Sequence, residues 1–210
     1  MIGLHPDAFR LAKAALIWLA FAASLGVPIA AAAASPLLAW RDPVYITAGF
    51  AGIVALWLLL VQPVLMGGYL PGLRGYQGRR LHLWVGALLV ATVVIHVGGL
   101  WITSPMDVID ALTFTSPTPF SDWGVIAMWA IFATALLAAL RRRSGLGPRT
   151  WRIGHTGLAV IIVVGSVVHG VLIEGTMETM SKVVLCVLAV AATVKVIADR
   201  RLWAKRTAAR

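Results

Sequence analysis

Apolar residues run almost unbroken through six stretches of the chain: residues 9–33, 44–66, 81–103, 122–140, 151–173 and 177–197. A hydrocarbon core of ~30 Å takes about 20 helical residues to cross, and each stretch is close to that length. In lipid every backbone N–H and C=O must be satisfied within its own segment, which leaves helices as the plausible form. Glycine and proline cluster between the stretches, as in Gly67-Gly68-Tyr69-Leu70-Pro71-Gly72, Ser116-Pro117-Thr118-Pro119 and Gly145-Leu146-Gly147-Pro148. Pro63, inside the second stretch, is expected to kink or end its helix. The pattern predicts an all-α membrane protein, a six-helix transmembrane bundle forming one domain over residues 1–210.

Composition agrees. Hydrophobic residues make up 60% of the 210 residues, against roughly 45–50% in soluble domains. Charged residues fall to 12%, about half the usual share, and mean hydropathy is +0.89. These values exclude a disordered chain and a soluble Rossmann or barrel enzyme. The single cysteine, Cys186, excludes an intrachain disulfide and cysteine-ligated zinc or iron–sulfur sites. It lies in an apolar segment and is expected to be inert.

A net charge of +10 would suggest nucleic acid in a soluble protein, but the positions of the charges point to topology and to no nucleic-acid partner. Arg10 and Lys13 lie at the N-terminal flank of the first stretch; Arg74, Arg79 and Arg80 follow the second. Arg141, Arg142, Arg143, Arg149 and Arg152 follow the fourth, and Arg200, Arg201, Lys205, Arg206 and Arg210 follow the sixth. Fifteen of the 18 basic residues thus fall on one side, and Lys195 can snorkel toward it. Only Arg41 and Lys182 fall on the other. The excess of basic residues marks the cytoplasmic side, so both termini are expected there, in a bacterial-type inner membrane. The first stretch resembles a signal peptide in its Arg10 and Lys13 flank and its Ala32-Ala33-Ala34-Ser35 ending. It is longer than an ordinary signal h-region and is read as a retained span.

Four histidines lie inside membrane segments, where ionisable groups are costly and usually functional. His82 and His96 are on the third stretch, His155 and His169 on the fifth; both pairs are 14 residues apart. At ~100° per residue that spacing returns to nearly the same helix face, with a rise of roughly 21 Å. The two segments run in the same direction, so His82 can meet His155 at one depth and His96 can meet His169 at another. Two imidazoles facing each other suit the axial positions of a haem. They suit zinc poorly, because zinc takes three or four protein ligands. Gly86, Gly98, Gly99, Gly154, Gly157, Gly165 and Gly170 flank the histidines. They are read either as room for a flat macrocycle or as ordinary close packing of helices. Arg79, Arg80, Arg149 and Arg152, just inside His82 and His155, are candidate partners for haem propionates. For the outer level the candidates are Arg41 and Lys182, or the polar groups Trp101, Thr103 and Ser104. His5 is read as solvated. Asp42, Asp107, Asp110, Asp122, Glu174 and Glu178 fall on the outer side, either as hard-cation ligands or because outer loops simply lack basic residues.

The stretches Gly78-Arg79-Arg80-Leu81-His82-Leu83-Trp84 through His96, and Trp151-Arg152-Ile153-Gly154-His155 through His169, resemble the ferric reductase-like transmembrane superfamily. That group includes NADPH oxidases, ferric reductases and the MsrQ-like haem subunits of periplasmic methionine sulfoxide repair. The resemblance implies two b-type haems ligated by His82, His96, His155 and His169, stacked between the third and fifth spans and passing electrons across the membrane. The inner His82 stands where MsrQ-type subunits are expected to carry an apolar residue, which favours the two-haem arrangement. NADPH oxidases and ferric reductases carry their flavin and nicotinamide domain after the sixth span. Here that span is followed by about a dozen residues with no Gly-x-Gly-x-x-Gly. The chain is therefore expected to act as an oxidoreductase haem subunit supplied by a separate flavin reductase or by membrane quinol. Its acceptor would be ferric iron, oxygen or a periplasmic redox protein. A quinone-linked cytochrome b anchor of a dehydrogenase or of an MsrQ-like repair system is the alternative within electron transfer. A histidine-relay transporter or channel fits less well, with no charge at the midplane and no clear internal repeat.

Overall fold

The computed structural model describes residues 6–199. His5 and the basic tail from Arg200 onward lie outside the described residues. Helices α1 (Pro6–Ala33), α2 (Pro43–Gly67), α3 (Gly75–Thr103), α5 (Pro119–Ala139), α6 (Pro148–Leu172) and α7 (Thr179–Asp199) are long, and all six are apolar enough to cross a membrane. No strand occurs among the described residues. Two elements were not expected: a single 3₁₀ turn at Pro36–Leu38 and the eight-residue helix α4 (Pro105–Leu112). The fifth span is therefore α6.

Local chemistry sets most boundaries. Proline occupies the first helical position of α2, α4, α5 and α6, where its missing N–H costs nothing and its φ is already helical. Asp42 caps α2, its Oδ1 accepting from Val44 N at 2.7 Å. Pro63 does not stop α2 at once. The helix continues to Gly67 and closes on Gly68, whose φ of 67° suits a residue without a Cβ. α3 starts at Gly75, six residues before its hydrophobic run; Tyr76, Gln77, Arg79 and Arg80 are exposed there and Gly78 is buried. Hydropathy does not register such an extension.

α2 is the central helix: half of its most apolar window is buried, against 6% for α1. It packs chiefly on α3 and α7, while α5 packs on α6. Leu58 of α2 and Leu185 of α7 are fully buried at the centre. In a bilayer, helix association depends on close packing and hydrogen bonds more than on the hydrophobic effect. Two of the flanking glycines serve that purpose. A Cβ on Gly99 would come within 2.8 Å of Ala48 Cβ, and one on Gly165 within 2.9 Å of the Trp123 carbonyl oxygen. α1 sits at the edge, tied to α2 where Trp57 Nε1 donates to Ser24 Oγ at 2.9 Å.

Candidate functional site

Helices α3 and α6 bring the four histidines together in two pairs. The rings of His82 and His155 have centroids 6.1 Å apart, and those of His96 and His169 are 6.4 Å apart. The distances discriminate between chemistries. A direct imidazole–imidazole hydrogen bond of about 2.9 Å, with each centroid about 1.1 Å behind its nitrogen, would put the centroids roughly 5 Å apart. Two imidazoles on opposite sides of one metal, at bonds of about 2 Å, would put them roughly 6.3 Å apart. Both pairs have the second spacing. No group of three or more His, Cys, Asp or Glu forms among the described residues. The donor sets are therefore pairs, which fit the axial positions of a haem and fall short of a zinc shell.

The outer pair is held by backbone. His96 Nδ1 lies 2.7 Å from the Ala48 carbonyl oxygen of α2, and His169 Nδ1 lies 2.8 Å from the Phe120 carbonyl oxygen at the start of α5. A carbonyl only accepts, so each Nδ1 carries the proton and each Nε2 keeps its lone pair for a ligand. The access is built by a glycine one turn beyond each carbonyl. A Cβ on Gly52 would stand 3.0 Å from His96 Nδ1, and one on Gly124 would stand 2.7 Å from His169 Nδ1. The two hairpins, α2–α3 and α5–α6, thus use the same device, with carbonyl and imidazole 48 and 49 residues apart. A cavity of about 480 Å³ opens between them, lined by His96, His169, Gly52 and Gly124 among others. That volume lies within the range of cofactor sites.

The inner pair is built differently. His82 Nδ1 and His155 Nδ1 are buried without hydrogen-bond partners, as is Gln62 Oε1. His155 is fixed by stacking: Trp151 lies parallel to it at 4.9 Å and 10°. The Arg141 guanidinium covers the Trp151 ring at 5.0 Å. Buried polar atoms are ordinarily hydrogen-bonded, so these atoms leave the inner level able to accept a further polar or metal-bearing group.

The family described as ferric reductase like transmembrane component matches residues 48–166. The chain belongs to this ferric reductase-like transmembrane family. No curated protein and no solved structure matches it. The matched region begins at Ala48, whose carbonyl holds His96, and includes His82, His96 and His155; His169 lies three residues beyond it. Membership, with six apolar helices, makes the chain a multi-pass membrane protein of transmembrane redox electron transfer.

Other residues singled out in this ferric reductase-like chain are less tightly engaged. Arg79, Arg80, Arg149 and Arg152 are all exposed, and none makes a hydrogen bond or ion pair among the described residues. They lie at the same end of the bundle as the inner pair. At the other end Arg41 is exposed, with its guanidinium 5.0 Å over the Tyr45 ring. Lys182 is buried instead and lines the outer cavity, as do Ser104 and Asp107. Thr103 hydrogen-bonds to its own helix and Trp101 is exposed. Two of the six outer acids have local work. Asp42 caps α2 and Glu178 caps α7, its carboxylate accepting from Ser181 N and Met180 N. Those N–H groups, Ser181 first, hold the exposed Glu178 carboxyl below its ordinary value. Gly52 and Gly124 escaped the sequence reading because they sit on neighbouring helices. The signal that could have found them is the matched spacing of each from its outer histidine.

Proposed function

We propose that the chain is a two-haem b-type cytochrome, the haem subunit of a membrane oxidoreductase. It carries electrons from a cytoplasmic flavin reductase or membrane quinol to an outer acceptor: ferric iron, oxygen or a periplasmic redox protein. His82 and His155 would hold the inner haem, and His96 and His169 the outer one. The observation that carries the reading is the pair of histidine levels, each at the spacing of two imidazoles sharing one metal. The haems, when bound, supply one-electron chemistry at six-coordinate iron. The chain's own residues bind, orient and insulate. The Ala48 and Phe120 carbonyls fix the outer imidazole tautomers and raise their basicity. Trp151 fixes the plane of His155. Leu89, Val93, Met128 and Ile131 keep the space around the outer level apolar. Arg79, Arg80, Arg149 and Arg152, on the side read as cytoplasmic, are placed in sequence to meet inner-haem propionates.

The test is purification of the membrane-extracted protein, with haem quantification, visible spectra and a donor screen. The reading expects two low-spin b haems per chain, and their reduction when a flavin reductase with its nicotinamide substrate, or a quinol, is added. A folded protein that binds no haem would overturn it.

A further inference from the structure

We propose that Lys182 is the counter-charge for a carboxylate of the outer haem and holds that haem's reduction potential up. The proposal rests on the two-haem reading and adds a residue to it. Lys182 lies in the first turn of α7 and is only 5% exposed. An ammonium has three N–H donors. Lys182 Nζ gives one, to the Ile173 carbonyl oxygen at 2.7 Å, and makes no ion pair among the described residues. Its expected helical partner, Glu178 four residues earlier, is turned to its own helix end, where Met180 N and Ser181 N occupy its two oxygens at 2.6 and 2.7 Å. A buried charge without a partner is costly, and structures rarely keep one. Lys182 also forms part of the wall of the cavity that contains His96 and His169. Asp107 and Asp110 of α4 line the same cavity, and neither pairs with it. Glu178 thus attracts Lys182 without forming an ion pair with it, so the structure places an unpaired cation in the wall of the cavity that contains the outer histidines, and the group that fits between those histidines carries carboxylates.

Direction of electron flow gives the charge a purpose. The carbonyl hydrogen bonds on His96 and His169 make these imidazoles stronger donors, which favours oxidised iron and lowers the outer potential. His155 has no such bond, and His82 meets the Gln62 backbone only outside good hydrogen-bond geometry. Left alone, this difference would make the outer haem the harder one to reduce and oppose outward transfer. A cation at the outer haem stabilises its reduced form and offsets the effect.

Wild type, Lys182→Met, Lys182→Arg and Glu178→Gln are compared by redox titration with visible and electron paramagnetic resonance detection, and by thermal unfolding of the haem-free proteins. Lys182→Met is expected to lower the outer haem's potential alone, by at least a tenfold change in its oxidised-to-reduced ratio, which is about 59 mV for one electron. Lys182→Arg should stay near wild type and Glu178→Gln should leave both haems unchanged. Haem-free Lys182→Met should unfold no earlier than wild type, since it removes an unpaired charge. An unchanged outer potential in Lys182→Met overturns the proposal while leaving the two-haem reading intact. An equal shift of both haems, or an equal shift in Glu178→Gln, also overturns it. A wild-type outer potential that moves on addition of acetate would assign Lys182 to a free carboxylate instead. Wild type without haem would remove the reading and the proposal together.

Discussion

Replacing Gly124 by alanine tests how the outer histidine is held. The new Cβ would stand 2.7 Å from His169 Nδ1 and 2.9 Å from Cε1, closer than real Cβ atoms come. Either the imidazole swings away or α5 shifts from α6. In both cases the 2.8 Å bond from His169 Nδ1 to the Phe120 carbonyl is lost. Losing a neutral hydrogen bond costs about 0.5–1.5 kcal/mol, and forcing one methyl into a packed contact costs about 1–3 kcal/mol. Removing a partner that orients a metal-ligating histidine lowers metal affinity about 10–100-fold, or roughly 1.4–2.8 kcal/mol. The same change at Gly52 meets His96 at 3.0 Å, so Gly52→Ala should fall at the mild end of that range and Gly124→Ala at the severe end. Gly26, on peripheral α1 with nothing within 4 Å of its Cβ position, is the control. The assay is haem titration of haem-free protein in detergent, following the outer haem's spectrum. Wild-type outer affinity and spectrum in Gly124→Ala, with the protein folded, would refute the idea that carbonyl and glycine together set the His169 ring.

Three further outcomes are expected. Gly165→Ala should destabilise the α5–α6 pair by about 1–3 kcal/mol, measured by thermal unfolding, because its Cβ would meet the Trp123 carbonyl at 2.9 Å. Glu178→Gln should lower stability at neutral pH. The folded-state carboxyl titrates below the ordinary 4.5, so its contribution is present above that value and is lost as pH falls through the lowered one. Unfolding curves of variant and wild type should therefore converge only in acid. A reporter fused after Arg210 should be cytoplasmic and one placed between Pro105 and Pro119 should be on the outer side; the reverse would sink the topology read from the basic residues.

Hydropathy alone located the six spans, because a membrane helix must be apolar along its whole length. It did not reveal α4: Met106, Val108 and Ile109 alternate with Asp107 and Asp110 over too short a stretch to register. The histidine pairs were legible because a 14-residue spacing on two parallel helices fixes face and depth at once. What holds the outer rings was not legible. Ala48, Gly52, Phe120 and Gly124 act through backbone carbonyls and a missing Cβ, and neither leaves a chemical signature in a side chain. Glycines beside the histidines in sequence drew attention, yet Gly99 and Gly165 are spent on helix contact. Lys182 read as one outer charge among few; its burial follows from how α7 packs on α2 and α6, which no local pattern records.

The central claim is that two haems are held at two levels, each by one histidine from α3 and one from α6. Haem quantification and electron paramagnetic resonance on two double variants test it most directly. His82→Ala with His155→Ala removes both ligands of one level and should leave one low-spin haem. His82→Ala with His96→Ala removes one ligand from each level and should damage both haems. Loss of both haems from a folded His82/His155 variant, or a single haem in wild type, would contradict the account.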